Sequence, residues 1–366
     1  MLFVGAMTGT SVDGLDLALI DASGDAKPQA VYTTPLPAPL RSKLIALAQP
    51  GPNEIELAGE AHVQLGSFIA TAVLDFLHSQ RLEPNDIRAI GSHGQTIRHH
   101  PQAEYPYTVQ IGDGNVIAER TAIDVVTDFR GRDIAAGGQG APLVPIYHQK
   151  LFGQANKTTV VLNIGGIANI TIIDEQGEVV AGFDTGPGNA LMDAWIQACR
   201  GEPYDANGDW AQQGRVLEKL LQDCLANAYF AMTPPKSTGK EHFNLQFITD
   251  RLQNHLTTTE KDVQATMLEL TAQSVTQAIN THAASCQTIV VCGGGRRNGV
   301  LMKRMRSLQP YRDICAADDL GVDGDAIEAA AFAYLAWQHI ERIPGSTPTI
   351  TGTKEPRVLG CLYPSR

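Results

Sequence analysis

The chain has 366 residues, 43% hydrophobic and 18% charged, a balance that excludes a disordered or fibrous polymer and, at this length, predicts two domains each with a sizeable core. Lys and Arg number 28 against 39 Asp and Glu, a net charge of −11, so no general basic field exists to hold a nucleic acid and any bound phosphate must be gripped locally. The six cysteines are scattered with no C-x-x-C pair, and neither a basic leader nor an apolar run of about 18 residues is evident; the expectation is a cytoplasmic protein with reduced thiols and neither a membrane nor a nucleic-acid partner.

In chain order, an apolar strand from Leu2 to Met7 meets the turn Thr8-Gly9-Thr10-Ser11-Val12-Asp13-Gly14, and Leu15 to Leu19 then alternates at period two as a second strand. From Glu54 to His78 apolar residues recur at helical spacing, and a short strand is predicted around Ile87 to Ile90. Asp128 to Pro145, with four glycines, reads as a loop. The opening pattern returns at Thr158 to Ile164, Gly165-Gly166 and Ile167 to Ile173, again strand, turn and strand. Helices are predicted over Leu191 to Cys199, Leu217 to Asn227 and Val263 to Ala284. A buried strand, Ile289 to Cys292, ends in Gly293-Gly294-Gly295 and leads to a helix over about Asn298 to Arg306. The last helix, Asp325 to His339, is apolar almost all round, which predicts burial between layers.

Three apolar strands thus end in turns without side-chain bulk, and a nucleotide triphosphate needs such turns so that backbone N–H groups can close on its oxygens. The first turn adds the hydroxyls of Thr10 and Ser11 and the carboxylate of Asp13, a candidate for Mg²⁺ directly or through water; taken singly it is equally an ordinary hairpin turn. Gly165-Gly166 alone is more readily a routine hairpin turn, and Gly293-Gly294-Gly295 is equally a tight strand-to-helix connection or a backbone laid against an anion. No G-x-x-x-x-G-K-[ST] and no helix-opening G-x-G-x-x-G occur, which excludes a P-loop and a Rossmann dinucleotide site.

The order of these elements resembles the sugar kinase, Hsp70 and actin superfamily over nearly the whole chain. Within it, Gly9-Thr10-Ser11-Val12-Asp13-Gly14-Leu15-Asp16, Ser92-His93-Gly94-Gln95-Thr96, Asp128-Phe129-Arg130 and Gly182-Phe183-Asp184-Thr185-Gly186-Pro187-Gly188-Asn189 are similar to the anhydro-N-acetylmuramic acid kinase family. The resemblance implies an α/β protein of two ribonuclease-H-like lobes, the actin-like ATPase fold, with an active-site cleft between them. The lobes are expected at residues 1–130 plus 340–366 and at 131–339. It further implies that ATP and Mg²⁺ are used to open the 1,6-anhydro ring of anhydro-N-acetylmuramic acid with water and to phosphorylate O6, in peptidoglycan sugar recycling. The family commonly forms homodimers, so a homodimer is a candidate assembly.

Residue by residue, Gly9 to Asp16, Gly165, Gly166 and Gly293 to Gly295 match the ATP and phosphate contacts, and Asp184 matches the family's base. A carboxylate on a turn entering a helix suits that task, although without the resemblance a turn cap is the better account. His93, Gln95, Arg130, Gly186, Asn189 and Glu328 are expected at the sugar. Arg130 is either the partner of the lactyl carboxylate or a structural arginine; Glu328 stands out as a carboxylate on an apolar helix, and helix-start capping accounts for Asp325. His99-His100 reads as a solvated turn rather than a metal site. The alternatives are a simpler amino-sugar kinase of the same fold and a non-sugar ATPase related to actin or Hsp70.

Overall fold

A computed structural model describes residues 1–9, 12–253, 255 and 258–365; Thr10 and Ser11, expected at the first phosphate turn, lie outside the described residues. The elements begin with β1 (Leu2–Met7), β2 (Gly14–Asp21), β3 (Pro28–Pro35), α1 (Ala38–Leu47), α2 (Glu54–Ser79), β4 (Ile87–Ser92), β5 (Gln95–His100), β6 (Tyr107–Ile111), α3 (Gly114–Thr121), β7 (Val125–Thr127), α4 (Phe129–Ala135) and α5 (Pro145–Phe152). They continue with β8 (Thr159–Ile164), β9 (Ile167–Ile173), β10 (Val179–Pro187), α6 (Ala190–Arg200), α7 (Glu218–Leu225), α8 (Ala228–Ala231), α9 (Leu245–Leu252), α10 (Glu260–His282), β11 (Thr288–Cys292), α11 (Gly299–Leu308) and β12 (Asp313–Ala316). The chain closes with α12 (Ile327–Ile340), α13 (Pro348–Thr351) and β13 (Cys361–Tyr363).

The chain divides into two compact units, Met1–Leu151 with Ala326–Arg366, and Phe152–Asp325. In the first, the sheet order is β13-β7-β4-β1-β2-β3: β1, β2 and β3 are antiparallel neighbours, β4 runs parallel to β1 and β7 parallel to β4. The second repeats this arrangement as β10-β9-β8-β11-β12, with β8, β9 and β10 antiparallel and β11 and β12 parallel to β8. Matching β1, β2, β3, β4 and β7 to β8, β9, β10, β11 and β12 in order makes each unit ribonuclease-H-like, the α/β unit that actin-like ATPases carry twice.

The unit boundaries differ from the expected 130 and 340, because α12 packs on the first sheet and α5 packs against α12 and the loop after β2. Tyr147 of α5 is fully buried, and its hydroxyl donates to the Ala26 carbonyl at 2.7 Å. The Ala-rich α12 lies directly on β1 and β4: a Cβ on Gly5 would fall 1.8 Å from the Ala329 carbonyl oxygen, and one on Gly91 would fall 1.9 Å from that of Phe332. Only bare strand positions and small helix residues permit two backbones to come so close.

Against the expectation that no segment reaches membrane length, α2 is long and apolar enough to cross a bilayer by length and composition alone. Its apolar stripe has another use, since Leu65, Ile69, Val73, Phe76 and Leu77 lie in the first unit's core with Val4, Leu17 and Ile90. The second core joins Val160, Leu162, Ile170 and Val291 of the sheet to Leu191 of α6, Leu270 of α10 and Leu301 of α11. The expected loop from Asp128 to Pro145 contains α4, because the Asp128 carboxylate caps it, accepting from Gly131 N at 3.2 Å.

Candidate active site

In the first unit, the parallel neighbours β1 and β4 deliver Thr8 and His93 side by side at their carboxyl ends, where open α/β sheets place their ligands. His93 N donates to the Ala6 carbonyl at 2.9 Å, and Thr8 Oγ1 donates to the Gly94 carbonyl at 2.8 Å. Gly94 has φ +67°, and a Cβ there would meet the Ile111 carbonyl at 2.3 Å, so this loop requires glycine.

The fully buried His93 ring has Nδ1 2.7 Å from the Gly94 carbonyl. A carbonyl only accepts, so Nδ1 carries the proton and Nε2 is the acceptor. Arg130 uses that acceptor, with Nε at 3.1 Å and Nη2 at 3.0 Å, while its Nη1 donates to the Gly140 carbonyl at 2.7 Å. Burial and the Arg130 charge hold the His93 pKa well below the usual imidazole range. Burial also lowers Arg130 to about 10, against the opposing charges of Glu328 and Asp133. The guanidinium is therefore fixed by two neutral acceptors, and Glu328 and Asp133 supply the opposing charges that act on it.

Three of the four family strings thus lie in this unit, and His93 and Arg130 join two of them. Both His93 ring nitrogens have partners, Gly94 O and Arg130, so His93 orients Arg130. Glu328 is exposed on the first turn of α12, not buried as the apolar helix suggested, and its charge reaches Arg130. Gln95 is buried, and its Oε1 has no hydrogen-bond partner among the described residues. At the first turn, Val12 N donates to the Gly9 carbonyl at 3.1 Å and Val12 takes φ +53°. Asp13 is exposed, Gly14 opens β2, Leu15 points its side chain wholly into the core, and Asp16 accepts from Thr33 Oγ1 at 2.7 Å.

In the second unit, Gly165-Gly166 joins β8 to β9 and accepts from the start of α6. Gly188 N donates to the Gly166 carbonyl at 2.9 Å and Asn189 N to that of Gly165 at 2.8 Å. Asn189 Nδ2 donates to the Ile164 carbonyl at 3.2 Å, and a Cβ on Gly294 would lie 3.9 Å from that nitrogen. Gly293, at φ +74°, and Gly295 both pack on Ile164, each with no room for a Cβ. The two glycine turns are therefore neighbours, and Asn189, bonded to the first, lies beside the second. Arg296 fastens the second, through Gly293 O at 3.1 Å and the carboxylates of Asp318 and Asp325 at 2.5 Å each. Arg297 also pairs with Asp325, which replaces the helix-capping role expected for that residue: α12 has no side-chain cap.

Asp184 lies within β10, paired with Asn169 of β9, rather than on a turn, and the strand bulges between Asp184 and Gly186. Gly186 is buried at φ +141°, and a Cβ there would stand 2.7 Å from the Phe230 ring. Asp184 Oδ2 accepts from Thr238 N at 2.9 Å, and Tyr229 Oη donates to the Asp184 carbonyl at 2.7 Å. Burial pushes the carboxyl up to about 6, with the Thr238 N–H opposing and Glu241 adding to the rise, a value suited to a base working near neutrality. Neither Thr238 nor Tyr229 was singled out in the sequence. Their one signal is the hydroxyl-rich Ser237-Thr238-Gly239, which has no glycine-turn pattern to announce it.

The chain matches the family described as anhydro-N-acetylmuramic acid kinase over residues 1–365. It is 47% identical over 363 residues to the anhydro-N-acetylmuramic acid kinase of Pseudomonas paraeruginosa, covering 99% of both chains. It is 46% identical over 367 residues to that of Pasteurella multocida, covering 100% of this chain and 97% of the other. Among solved structures, it is similar to an activator of 2-hydroxyisocaproyl-CoA dehydratase from Clostridium difficile with bound ADPNP, at TM-score 0.49 and 10% identity over 93% of this chain and 96% of that one. A ROK family glucokinase from Streptomyces griseus in complex with glucose and AMPPNP aligns at TM-score 0.43 and 13% identity, over 92% and 100% of the two chains.

Proposed function

The chain belongs to the anhydro-N-acetylmuramic acid kinase family and is thus an ATP-using phosphotransferase with an alcohol acceptor; we propose that it opens the 1,6-anhydro ring of anhydro-N-acetylmuramic acid and phosphorylates O6, in recycling of cell-wall sugars in the cytoplasm. The observation that carries this reading is Asp184: a half-buried carboxyl near 6, on the strand that leads to Asn189 beside the glycine turns. Asp184 takes a proton from water as the water oxygen bonds to C1. The C1–O6 bond breaks, and O6 bonds to the γ-phosphorus as the bond to the ADP oxygen breaks. The products are N-acetylmuramate 6-phosphate and ADP.

The glycine turns supply backbone N–H groups to the phosphates. Arg130, held by neutral acceptors, takes the lactyl carboxylate, with Glu328 and Gln95 set for sugar polar groups. Among the described residues no cluster of three or more His, Cys, Asp or Glu forms a metal cage, and Asp13 is an exposed carboxylate beside the first turn. That donor set fits Mg²⁺, which keeps waters and phosphate oxygens and needs only one or two carboxylates. When bound, Mg²⁺ neutralises phosphate charge.

Incubation with Mg-ATP and the anhydro sugar in ¹⁸O-water tests the reading. The expected product gains one water and one phosphoryl group, with the label on C1. Label absent from the sugar, or phosphorylation of ordinary amino sugars at an equal rate, would sink it.

A further inference from the structure

Lys240 enters the site from a loop that no sequence motif marked. A Cβ built on Gly166 would stand 2.6 Å from Lys240 Cε and 3.5 Å from Nζ, so the lysine stem lies on the bare face of the Gly165-Gly166 turn with its ammonium beside it. The loop is held on both sides. Before Lys240, Thr238 N binds the Asp184 carboxylate at 2.9 Å. After it, His242 N and Phe243 N each donate to the Gly239 carbonyl at 3.1 Å, and Phe243 is fully buried in the second core.

The other cations near these turns are engaged: Arg296 with Asp318 and Asp325, and Arg297 with Asp325. Lys240, by contrast, is exposed, and among the described residues it makes no ion pair within the salt-bridge distances seen elsewhere. Asp193, on the first turn of α6, is the carboxylate that feels it. Burial raises Asp193 to about 6, the Lys240 charge opposes that rise, and Asp205 adds to it.

We propose that Lys240 is a phosphate-binding cation of this kinase: its ammonium takes the terminal phosphate of the nucleotide held at the Gly165-Gly166 turn. The same short loop then positions the base through Thr238 and screens the transferring group through Lys240, so the two are set by one piece of backbone. An ammonium aimed where phosphoryl charge spreads stabilises the transition state more than the ground state. This inference rests on the reading of the turn as a phosphate site, whereas an ion-pair role with Asp193 alone would leave the nucleotide untouched.

The test uses the full-length chain with K240M and K240R. Calorimetric affinities for AMPPNP and for AMP are measured beside kcat and the KM for the anhydro sugar. For K240M, AMPPNP binding weakens about tenfold or more and kcat falls about 10²-fold, while AMP affinity and sugar KM stay within twofold. K240R recovers at least tenfold of the lost kcat. AMPPNP affinity and kcat within threefold of wild type in K240M would overturn the assignment, as would equal losses for AMPPNP and AMP, which mark a structural role. The split between AMPPNP and AMP is read without any sugar. If the split appears while wild type leaves the anhydro sugar unchanged, the acceptor reading fails and Lys240 stands.

Discussion

Asp184→Asn should stabilise the protein while it stops turnover. The carboxyl is raised from 3.8 to about 6, chiefly by burial, so ionising it in the folded chain is harder than in the unfolded one. The unfolded state then binds fewer protons between those values, and stability falls as pH rises through the window. At 1.36 kcal/mol per pH unit the native state gives up about 3 kcal/mol once the group is fully ionised. Linkage with the same two values leaves about 1 kcal/mol of that cost at pH 4.5. Asparagine carries no charge and keeps an oxygen for Thr238 N, so it escapes the penalty. Urea titrations of wild type and D184N at pH 7.5 and pH 4.5 read the difference directly. D184N is expected to be the more stable by up to about 3 kcal/mol at pH 7.5, narrowing to about 1 kcal/mol at pH 4.5. A variant less stable than wild type at pH 7.5, or a gap that does not narrow in acid, refutes the reasoning.

The same titration governs turnover: kcat/KM for the anhydro sugar should fall about tenfold per pH unit below about pH 6 and level off above it, and a profile flat down to pH 5 would remove Asp184 as the base. Arg130→Lys cannot serve His93 Nε2 and Gly140 O together, so the KM for the sugar should rise about tenfold or more with the ATP KM within twofold; steady-state kinetics with each substrate varied would expose an unchanged sugar KM. Gly91→Ala drives a methyl into the Phe332 carbonyl and should cost about 3 kcal/mol by thermal or urea unfolding, and a loss below about 1 kcal/mol would mean that α12 shifts freely.

Strand, turn and helix positions were legible because their signals are local. The alternation of Leu15, Leu17 and Leu19 and the bare turns at Gly165 and Gly293 all lie where expected. Gly182, Gly186 and Pro187 around Asp184 predict a turn, yet β9 pairs along the whole segment and absorbs the irregularity as a bulge. The membership of α12 was not legible, since the matching glycines that receive it stand far away on β1 and β4. The sequence alone gives His93 no partner, because a loop histidine is polar whatever it binds. Only the positions of Gly94 O and Arg130 show that both ring nitrogens are occupied. Lys240 and Thr238 escaped notice for a related reason: their partners are Gly166 and Asp184, remote in sequence.

The seating of α12 on Gly5 and Gly91 leaves that helix no freedom to roll or slide on its sheet, because any rotation would bring a methyl where a carbonyl now nests. Glu328 precedes Ala329, whose oxygen faces Gly5, and is thereby indexed to the strand that runs into the first turn. If Glu328 and Arg130 meet the acceptor as proposed, a larger or smaller acceptor calls for a new side chain at position 328 or 130, because the helix beneath them is seated on bare glycines.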